Sequence, residues 1–306
     1  MKKNKFYYFL ISGFALAGLS MAGCKDDPKD PELPKIGGYN NSNEVAAANL
    51  KAHWTFDGSL NERISSTAAS TSLRSSFLTG IKGQAVKLDS GYILYPTIAA
   101  LNSNIGSFTT STWILTENQG SGSRPTGVFA LTLGSTQTFD WNEGPIMLSL
   151  ENGRPKSYND TLVLKSNIAT TKAGGLLKGD NINDFGVRET DFKTVKGANK
   201  WVHVVTRWDG VGSFIDIYAN GIRVSNNNFR FRNAGGVGFG NMTLPAATNT
   251  QVLFGGYPNS TNGFPLSAIQ GFQGLYRGNL DEARFYNKAL LDADITALYQ
   301  LELAGR

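Results

Sequence analysis

Hydrolysis of a glycosidic bond usually needs two carboxyl groups, one on each side of the bond. On a β-strand, carboxylates two residues apart share a face, and Glu189-Thr190-Asp191 has that spacing. Asp281 and Glu282 are adjacent, so a strand would turn them to opposite faces. The chain of 306 residues has two histidines, His53 and His203, each set between apolar neighbours. A histidine-based catalytic centre or metal site is therefore not expected. Cys24 is the single cysteine, which excludes an intramolecular disulfide, a cysteine–zinc site and a thiol nucleophile from the rest of the chain.

Sugar binding needs other residues. Flat aromatic rings cover the apolar faces of a sugar, while amides, carboxylates and guanidinium groups satisfy its hydroxyls. Two segments concentrate these types. One is Phe139-Asp140-Trp141-Asn142-Glu143-Gly144, with Tyr158-Asn159-Asp160 close behind. The other is Gly179-Asp180-Asn181-Ile182-Asn183-Asp184-Phe185-Gly186-Val187-Arg188, inside what reads as a long connection from Ala169 to Lys200. Trp141 is the candidate stacking platform. Asn142, Tyr158, Asp180, Asn181, Asn183, Asp184 and Arg188 are the candidate polar contacts. The alternative is that Trp141 is a core residue and the Asn/Asp cluster is turn chemistry.

The amino terminus dictates location. Met1-Lys2-Lys3-Asn4-Lys5 is a basic head, Phe6 to Leu19 is apolar, and Ser20-Met21-Ala22-Gly23 leads directly into Cys24. This is the layout of a secretory signal peptide, too short for the roughly 20 apolar residues of a membrane span. Residues 19–24 resemble a bacterial lipobox, which implies cleavage before Cys24 and acylation of its thiol. Acyl chains anchor a soluble domain without a spanning helix. Residues 25–35 are charged and proline-rich, the composition of an extended tether. Lys25-Asp26-Asp27 resembles the export signal of surface-exposed lipoproteins in the Bacteroidetes phylum, or is a solvated spacer. Gly37 to Asn43 continues the flexible stretch. The expected organisation is residues 1–23 as signal peptide, 24–48 as acylated cysteine and tether, and 49–306 as one folded domain, held at the outer membrane and facing outward. The formal net charge is +5, of which Lys2, Lys3 and Lys5 leave with the signal. No block of like charge follows, which argues against a nucleic-acid partner.

The remainder reads as all-β. Glycine, serine, threonine and asparagine punctuate short apolar runs, the pattern of an antiparallel sandwich. Leu50, Ala52, Trp54 and Phe56 alternate with polar residues. Ala85–Leu88 and Tyr92–Tyr95 bracket a turn at Asp89-Ser90-Gly91. Strands follow at Ser107–Leu115, Gly144–Leu150, Trp201–Trp208, Ser213–Ala219, Val252–Gly256 and Gly278–Tyr286. Asn220-Gly221 between Tyr218-Ala219 and Ile222-Arg223-Val224 is a strong hairpin signal. Ala289 to Glu302 has apolar residues near helical spacing and predicts one short helix. Trp54, Trp113 and Trp201 lie in apolar strand contexts and read as core.

Several of these segments resemble, in order, the laminin-G-like branch of the concanavalin A-like lectin/glucanase superfamily. They are His53-Trp54-Thr55-Phe56-Asp57-Gly58-Ser59-Leu60, Gly80 to Leu88, Phe108-Thr109-Thr110-Ser111-Thr112-Trp113-Ile114, Trp201-Val202-His203-Val204-Val205 with Asp209-Gly210, Ile217-Tyr218-Ala219-Asn220-Gly221, and Gly278 to Leu290. The resemblance spans residues 50 to 300. It implies a jelly roll of two curved antiparallel sheets with first and last strands adjacent. The superfamily's glucanases carry Glu-x-Asp-x-x-Glu along one strand, but Thr194 stands where the last Glu would follow Glu189 and Asp191. Glycosidase activity is therefore not expected. Related folds often hold a structural calcium ion. Its candidate ligands are Asp57 with Asp281, which the fold should bring together, or the Asp180/Asp184 loop; purely hydrogen-bonded aspartates are the alternative. The resulting expectation is a non-catalytic surface lipoprotein that binds a polysaccharide or other glycan for an uptake system. The competing expectation is an adhesion module or an accessory subunit of an outer-membrane transporter complex, using Phe229 and Phe231; a divergent hydrolase ranks last.

Overall fold

In the computed structural model of the protein, residues 33–306 are described, apart from 103–104, 119, 121, 155–158 and 246–248. The signal segment, Cys24 and Tyr158 lie outside the described residues. One compact unit runs from Lys35 to Arg306. Its strands are β1 (Leu50–Trp54), β2 (Thr71–Thr79), β3 (Gln84–Tyr95), β4 (Phe108–Thr116), β5 (Thr126–Leu133), β6 (Ile146–Leu150), β7 (Leu164–Lys172), β8 (Gly175–Ile182), β9 (Trp201–Asp209), β10 (Phe214–Ala219), β11 (Ile222–Arg223), β12 (Asn233–Ala234), β13 (Val237–Gly238), β14 (Thr250–Phe254) and β15 (Tyr276–Tyr286). One α-helix, α1 (Asp292–Leu303), closes the chain where a short helix was expected.

The main ladder runs β11-β10-β9-β4-β15-β3-β14-β5-β6-β7-β8, with β1 on β15 and β2 on β3. It is antiparallel throughout these pairings. The ladder doubles over, so that Val202, Val204, Ile215 and Ile217 of one half share a core with Ile146, Leu148, Leu164 and Ile168 of the other. The expected sandwich is thus formed with its two layers joined through β3 and β15. Register shifts beside Ser75 and Arg277 mark where these long strands bend. First and last strands are adjacent, His53 opposite Arg284.

Apolar packing occurs on both faces of the sheet, which is why several strands read as continuous apolar runs. In β14, Val252 and Phe254 enter the central core, whereas Leu253 joins an outer cluster with Tyr92, Leu94, Ala130 and Met147. The rings of Trp54 and Phe254 meet edge to face at 5.1 Å, a geometry that contributes about 0.5–1.5 kcal/mol beyond area burial. A second outer cluster packs α1, through Ile295, Leu298 and Leu301, on Val205, Tyr218 and Tyr286.

Four expectations are corrected here. Asp89-Ser90-Gly91 is not a turn: β3 runs through it with Ser90 at φ 53°. A side chain at Gly91 would lie 2.1 Å from the Leu73 carbonyl oxygen, so the strand stays closely paired with β2 there. The connection from Ala169 to Lys200 contains the β7–β8 hairpin, which turns at Ala173-Gly174. Trp201 is half-buried rather than core, while Trp208 takes a core place. Finally, the folded unit begins at Lys35, earlier than Asn49. Val45 is buried against the helix cluster, and Ser42 Oγ accepts a hydrogen bond from Arg284 Nη2 at 3.1 Å.

Candidate functional site

Trp141 opens a single 3₁₀ turn, Trp141–Glu143, between β5 and β6. The turn is fixed by a reciprocal cap: Asp140 accepts at the turn's start, and the Asp140 N–H donates to Glu143 Oε2 at 3.0 Å. The indole is half-buried. Its ring meets Tyr257 at 5.7 Å and Phe272 at 5.3 Å, both edge-on. Tyr257 and Phe272 are themselves 5.8 Å apart, so three rings brace one another. The expected alternatives for Trp141, platform or core, resolve into an intermediate: one part of the ring packs on the outer cluster and the rest meets solvent.

A band of charge runs from this aromatic group across the outer face of β6–β8. Lys178 Nζ donates to Glu143 Oε1 at 3.0 Å and to Asn142 Oδ1 at 3.5 Å. Two residues on, Asp180 faces Lys165 at 3.2 Å, and Lys165 also faces Glu151 at 3.3 Å. Arg154 joins Glu151 at 2.6 Å, approaches Asp184 at 3.8 Å, and lies over the Phe185 ring at 4.7 Å. Burial works to raise the Glu143 carboxyl, but the Lys178 ammonium and the Asp140 N–H hold it below the usual carboxylate range. On the same outer face Asn167, opposite both Met147 and Asp180, is buried with its Oδ1 unpartnered. Rings, ammonium, carboxylate and amide groups thus share one surface.

The structure divides the sequence-predicted residues. Trp141 and Asn142 stand together, and Asp180 and Asp184 belong to the charged band. Asn181 and Asn183 do not face a ligand. Asn181 Nδ2 donates to the Ile215 and Asn226 carbonyls at 2.8 and 3.2 Å, tying β8 across to β10. Asn183 receives the Leu164 N–H at 2.7 Å and donates to the Leu162 carbonyl at 3.2 Å. Both are buried. Arg188 is exposed in the turn after β8, where it bridges with Phe192.

The carboxylates tested for hydrolysis serve the chain. Glu189 has φ 62° and its Oε1 accepts the Thr194 N–H at 2.9 Å, which holds its carboxyl below the usual range. Asp191 accepts the Val187 N–H at 2.6 Å and the Asn228 side chain at 3.2 Å. Neither residue is on a strand. Asp57 and Asp281 do converge, on the turn between β2 and β3. Asp57 Oδ1 accepts the Gln84 N–H at 2.7 Å; Asp281 Oδ2 accepts those of Ile81 and Lys82 at 2.8 and 3.2 Å. Burial pushes the Asp281 carboxyl up to about 8, with these N–H donors working against the rise. Oxygens already directed at backbone amide donors do not fit a calcium ligand pair. Asp180 and Asp184 fit no better, because Lys165, Arg232 and Arg154 already face them. Among the described residues no three His, Cys, Asp or Glu side chains group as metal ligands.

Both histidines are framework residues, as expected. His53 Nε2 pairs with Glu282 Oε2 at 2.8 Å and His203 Nε2 with Ser111 Oγ at 2.7 Å, all buried. Sequence reasoning missed Tyr257 and Phe272, which lie in the loop between β14 and β15. Their aromatic character was visible, but only the fold brings them to Trp141.

No protein-family model matches the chain, and no curated protein matches it. Solved structures do. The binding domain of botulinum neurotoxin DC, in complex with SialylT, is 12% identical with a TM-score of 0.53; the match covers 85% of this chain and 52% of that one. The binding domain of Paraclostridial Mosquitocidal Protein 1 is 15% identical with a TM-score of 0.50, covering 82% and 52%. Domain 4 of AbnA, a GH43 extracellular arabinanase from Geobacillus stearothermophilus in complex with arabinotriose, is 18% identical with a TM-score of 0.48, covering 82% and 98%. The chain spans about half the length of the toxin domains it matches. At these identities the likeness to the toxin domains establishes the fold alone, a jelly-roll β-sandwich consistent with the concanavalin A-like kind.

Proposed function

We propose that this protein is a laminin-G-like surface lipoprotein that binds extracellular carbohydrate without cleaving it, as the capture component of a glycan-uptake system. The observation that carries the reading is the Trp141 ledge, a half-buried indole braced by Tyr257 and Phe272 beside Asn142, Lys178 and Glu143. A braced ring offers a sugar a flat apolar face at little entropic cost, and the neighbouring groups offer both donors and acceptors to its hydroxyls. A toxin domain of the same fold has been solved with SialylT, which adds support. Acylated Cys24 would hold the domain at the outer membrane with the jelly roll facing outward. Fold alone does not fix activity, so binding must be read at this ledge. On an array of polysaccharides and oligosaccharides the wild type binds a subset. Trp141→Ala weakens that binding by roughly an order of magnitude or more while its denaturation profile stays cooperative. Retained binding in Trp141→Ala removes the proposal.

A docking role in a transporter complex is the second reading. It is favoured by Phe231, which is 44% exposed, and by Val211 and Val237 at 92% and 74%. Phe229 contributes less than expected, because its ring packs on Phe185 at 6.2 Å. Co-purification of a membrane protein that is lost in Phe231→Ser, with no glycan bound on the array, would favour this reading.

A further inference from the structure

A second surface, separate from the Trp141 ledge, lies where the segment leading into β5 meets the loop between β14 and β15. There a cleft of about 540 Å³ is lined by Arg124, Thr126, Asn259, Asn262, Gln273 and neighbouring residues. A smaller cleft of about 240 Å³, reaching Glu117, Asn152 and Arg277, shares Ser90, Ser123, Arg124, Thr126 and Leu275 with it. The base is rigid. The Gly274 N–H donates to the Pro125 carbonyl at 2.8 Å, and Thr126 bridges to Gly274. A Cβ at Gly274 would come within 3.0 Å of Arg124 Cβ, so the two segments are in close contact.

The wall is built of amides already fixed in place. Asn259, Asn262 and Gln273 are 2%, 3% and 5% exposed. Asn259 Nδ2 donates to Gln273 Oε1 at 2.7 Å, Asn259 Oδ1 accepts from Thr261 Oγ1 at 2.7 Å, and Asn262 Nδ2 donates to the Tyr257 carbonyl at 2.8 Å. These bonds use the acceptor oxygens of Asn259 and Gln273 and leave Gln273 Nε2 buried without a partner. A buried donor with no acceptor is costly unless a ligand or water meets it. Arg124 is exposed at the cleft and makes no ion pair or hydrogen bond among the described residues. Arg277 differs, since Asp89 and Glu117 flank it at 3.4 and 3.8 Å.

The unused capacity of the cleft is therefore hydrogen-bond donation, with one guanidinium charge behind it. We propose that this cleft binds the carboxylate of an acidic sugar such as a hexuronic acid. Arg124 takes the carboxylate through its paired N–H groups. Gln273 Nε2 donates to a neighbouring sugar oxygen, and Ser90, Ser123 and Thr126 meet the hydroxyls. A phosphate dianion fits less well, because Glu117 lines the adjoining part of the cleft. This inference goes beyond the Trp141 ledge, with which the cleft shares the loop between β14 and β15.

The test is calorimetric titration of the full-length protein in detergent with glucuronate, glucose and inorganic phosphate. Glucuronate should bind at least about tenfold more tightly than glucose or phosphate, the worth of one charge-assisted hydrogen bond. Arg124→Ala should remove that preference with an unchanged melting temperature, and Gln273→Glu, which turns the free donor into an acceptor, should weaken glucuronate further. Array binding in Trp141→Ala reads the ledge and glucuronate preference in Arg124→Ala reads the cleft, so that failure at one and failure at the other are distinguished. Equal binding of glucose and glucuronate, tighter binding of phosphate, no binding of glucuronate, or an unchanged preference in Arg124→Ala each overturns the proposal.

Discussion

His203 shows how one side chain links burial to stability. It is fully buried, bonded to Ser111, and lies 3.7 Å from Glu302, while Glu302 receives Arg284 Nε at 2.8 Å and Trp113 Nε1 at 2.8 Å. Burial, aided by the positive Arg284, pushes the His203 imidazole down to about 3. The unfolded chain binds a proton near the ordinary value of about 6.5 that the folded chain refuses. The contribution of His203 is therefore fully present above about 6.5 and is lost as pH falls from there toward 3. Urea denaturation across that window should show a shallower loss in His203→Gln than in wild type; equal slopes would contradict the assignment. At this scale the sequence was legible where a residue's neighbours define its setting. Trp54 and Trp113 read as core and are buried, whereas His53, on the polar side of an alternating strand, is buried as well. Asn181 and Asn183 were not legible, because an asparagine that binds backbone looks the same in a sequence as one that binds a ligand. Gln273 and Asn259 were invisible for a related reason: they are unremarkable in a loop until the fold brings their amides together.

Among the elements, the Asn220-Gly221 hairpin was the clearest local signal, and both residues adopt positive φ, 51° and 79°, between β10 and β11. The β7–β8 hairpin was missed because its turn, Ala173-Gly174, carries a weaker signature and its outer face mixes Lys, Asn and Ala. The segment from Lys35 to Asn49 misled in the opposite direction. Its glycines and asparagines suggested flexibility, yet its order comes from contacts distant in sequence. Tyr39 donates to Asp294 at 2.8 Å, Asn43 accepts from Arg284 Nη1 at 2.9 Å, and a Cβ at Gly37 would strike Ala297 at 2.5 Å. A chain starting at Asn49 should therefore melt lower than one starting at Lys35, since it loses Ile36, Tyr39 and Val45 and uncovers the cluster that holds Val205 and Tyr218. Identical melting temperatures for the two truncations would show that the segment adds nothing.

For the whole molecule, the order of the blocks from His53 to Leu290 was more informative than any one of them. The resemblance carried by that order implies a jelly roll with adjacent terminal strands, and β1 does pair with β15. The continuity of the ladder through β3 and β15 was not legible, because it depends on where long strands bend. Among the described residues no helix is long and apolar enough to cross a membrane, so the proposed anchoring rests on Cys24. Metabolic labelling with palmitate should mark the wild type and not Cys24→Ala, and the variant should leave the membrane fraction; a labelled variant would contradict the anchor. The central claim is that a glycan settles on Trp141, and tryptophan emission reads it most directly. Trp54, Trp113 and Trp208 are buried at 0%, 1% and 0% exposure, whereas Trp141 and Trp201 are half-buried, so the comparison with Trp141→Phe assigns the signal. Titration with a glycan that binds on the array should shift emission to shorter wavelength in the wild type and leave Trp141→Phe unshifted. Binding without a shift, or the same shift in both proteins, would contradict the account.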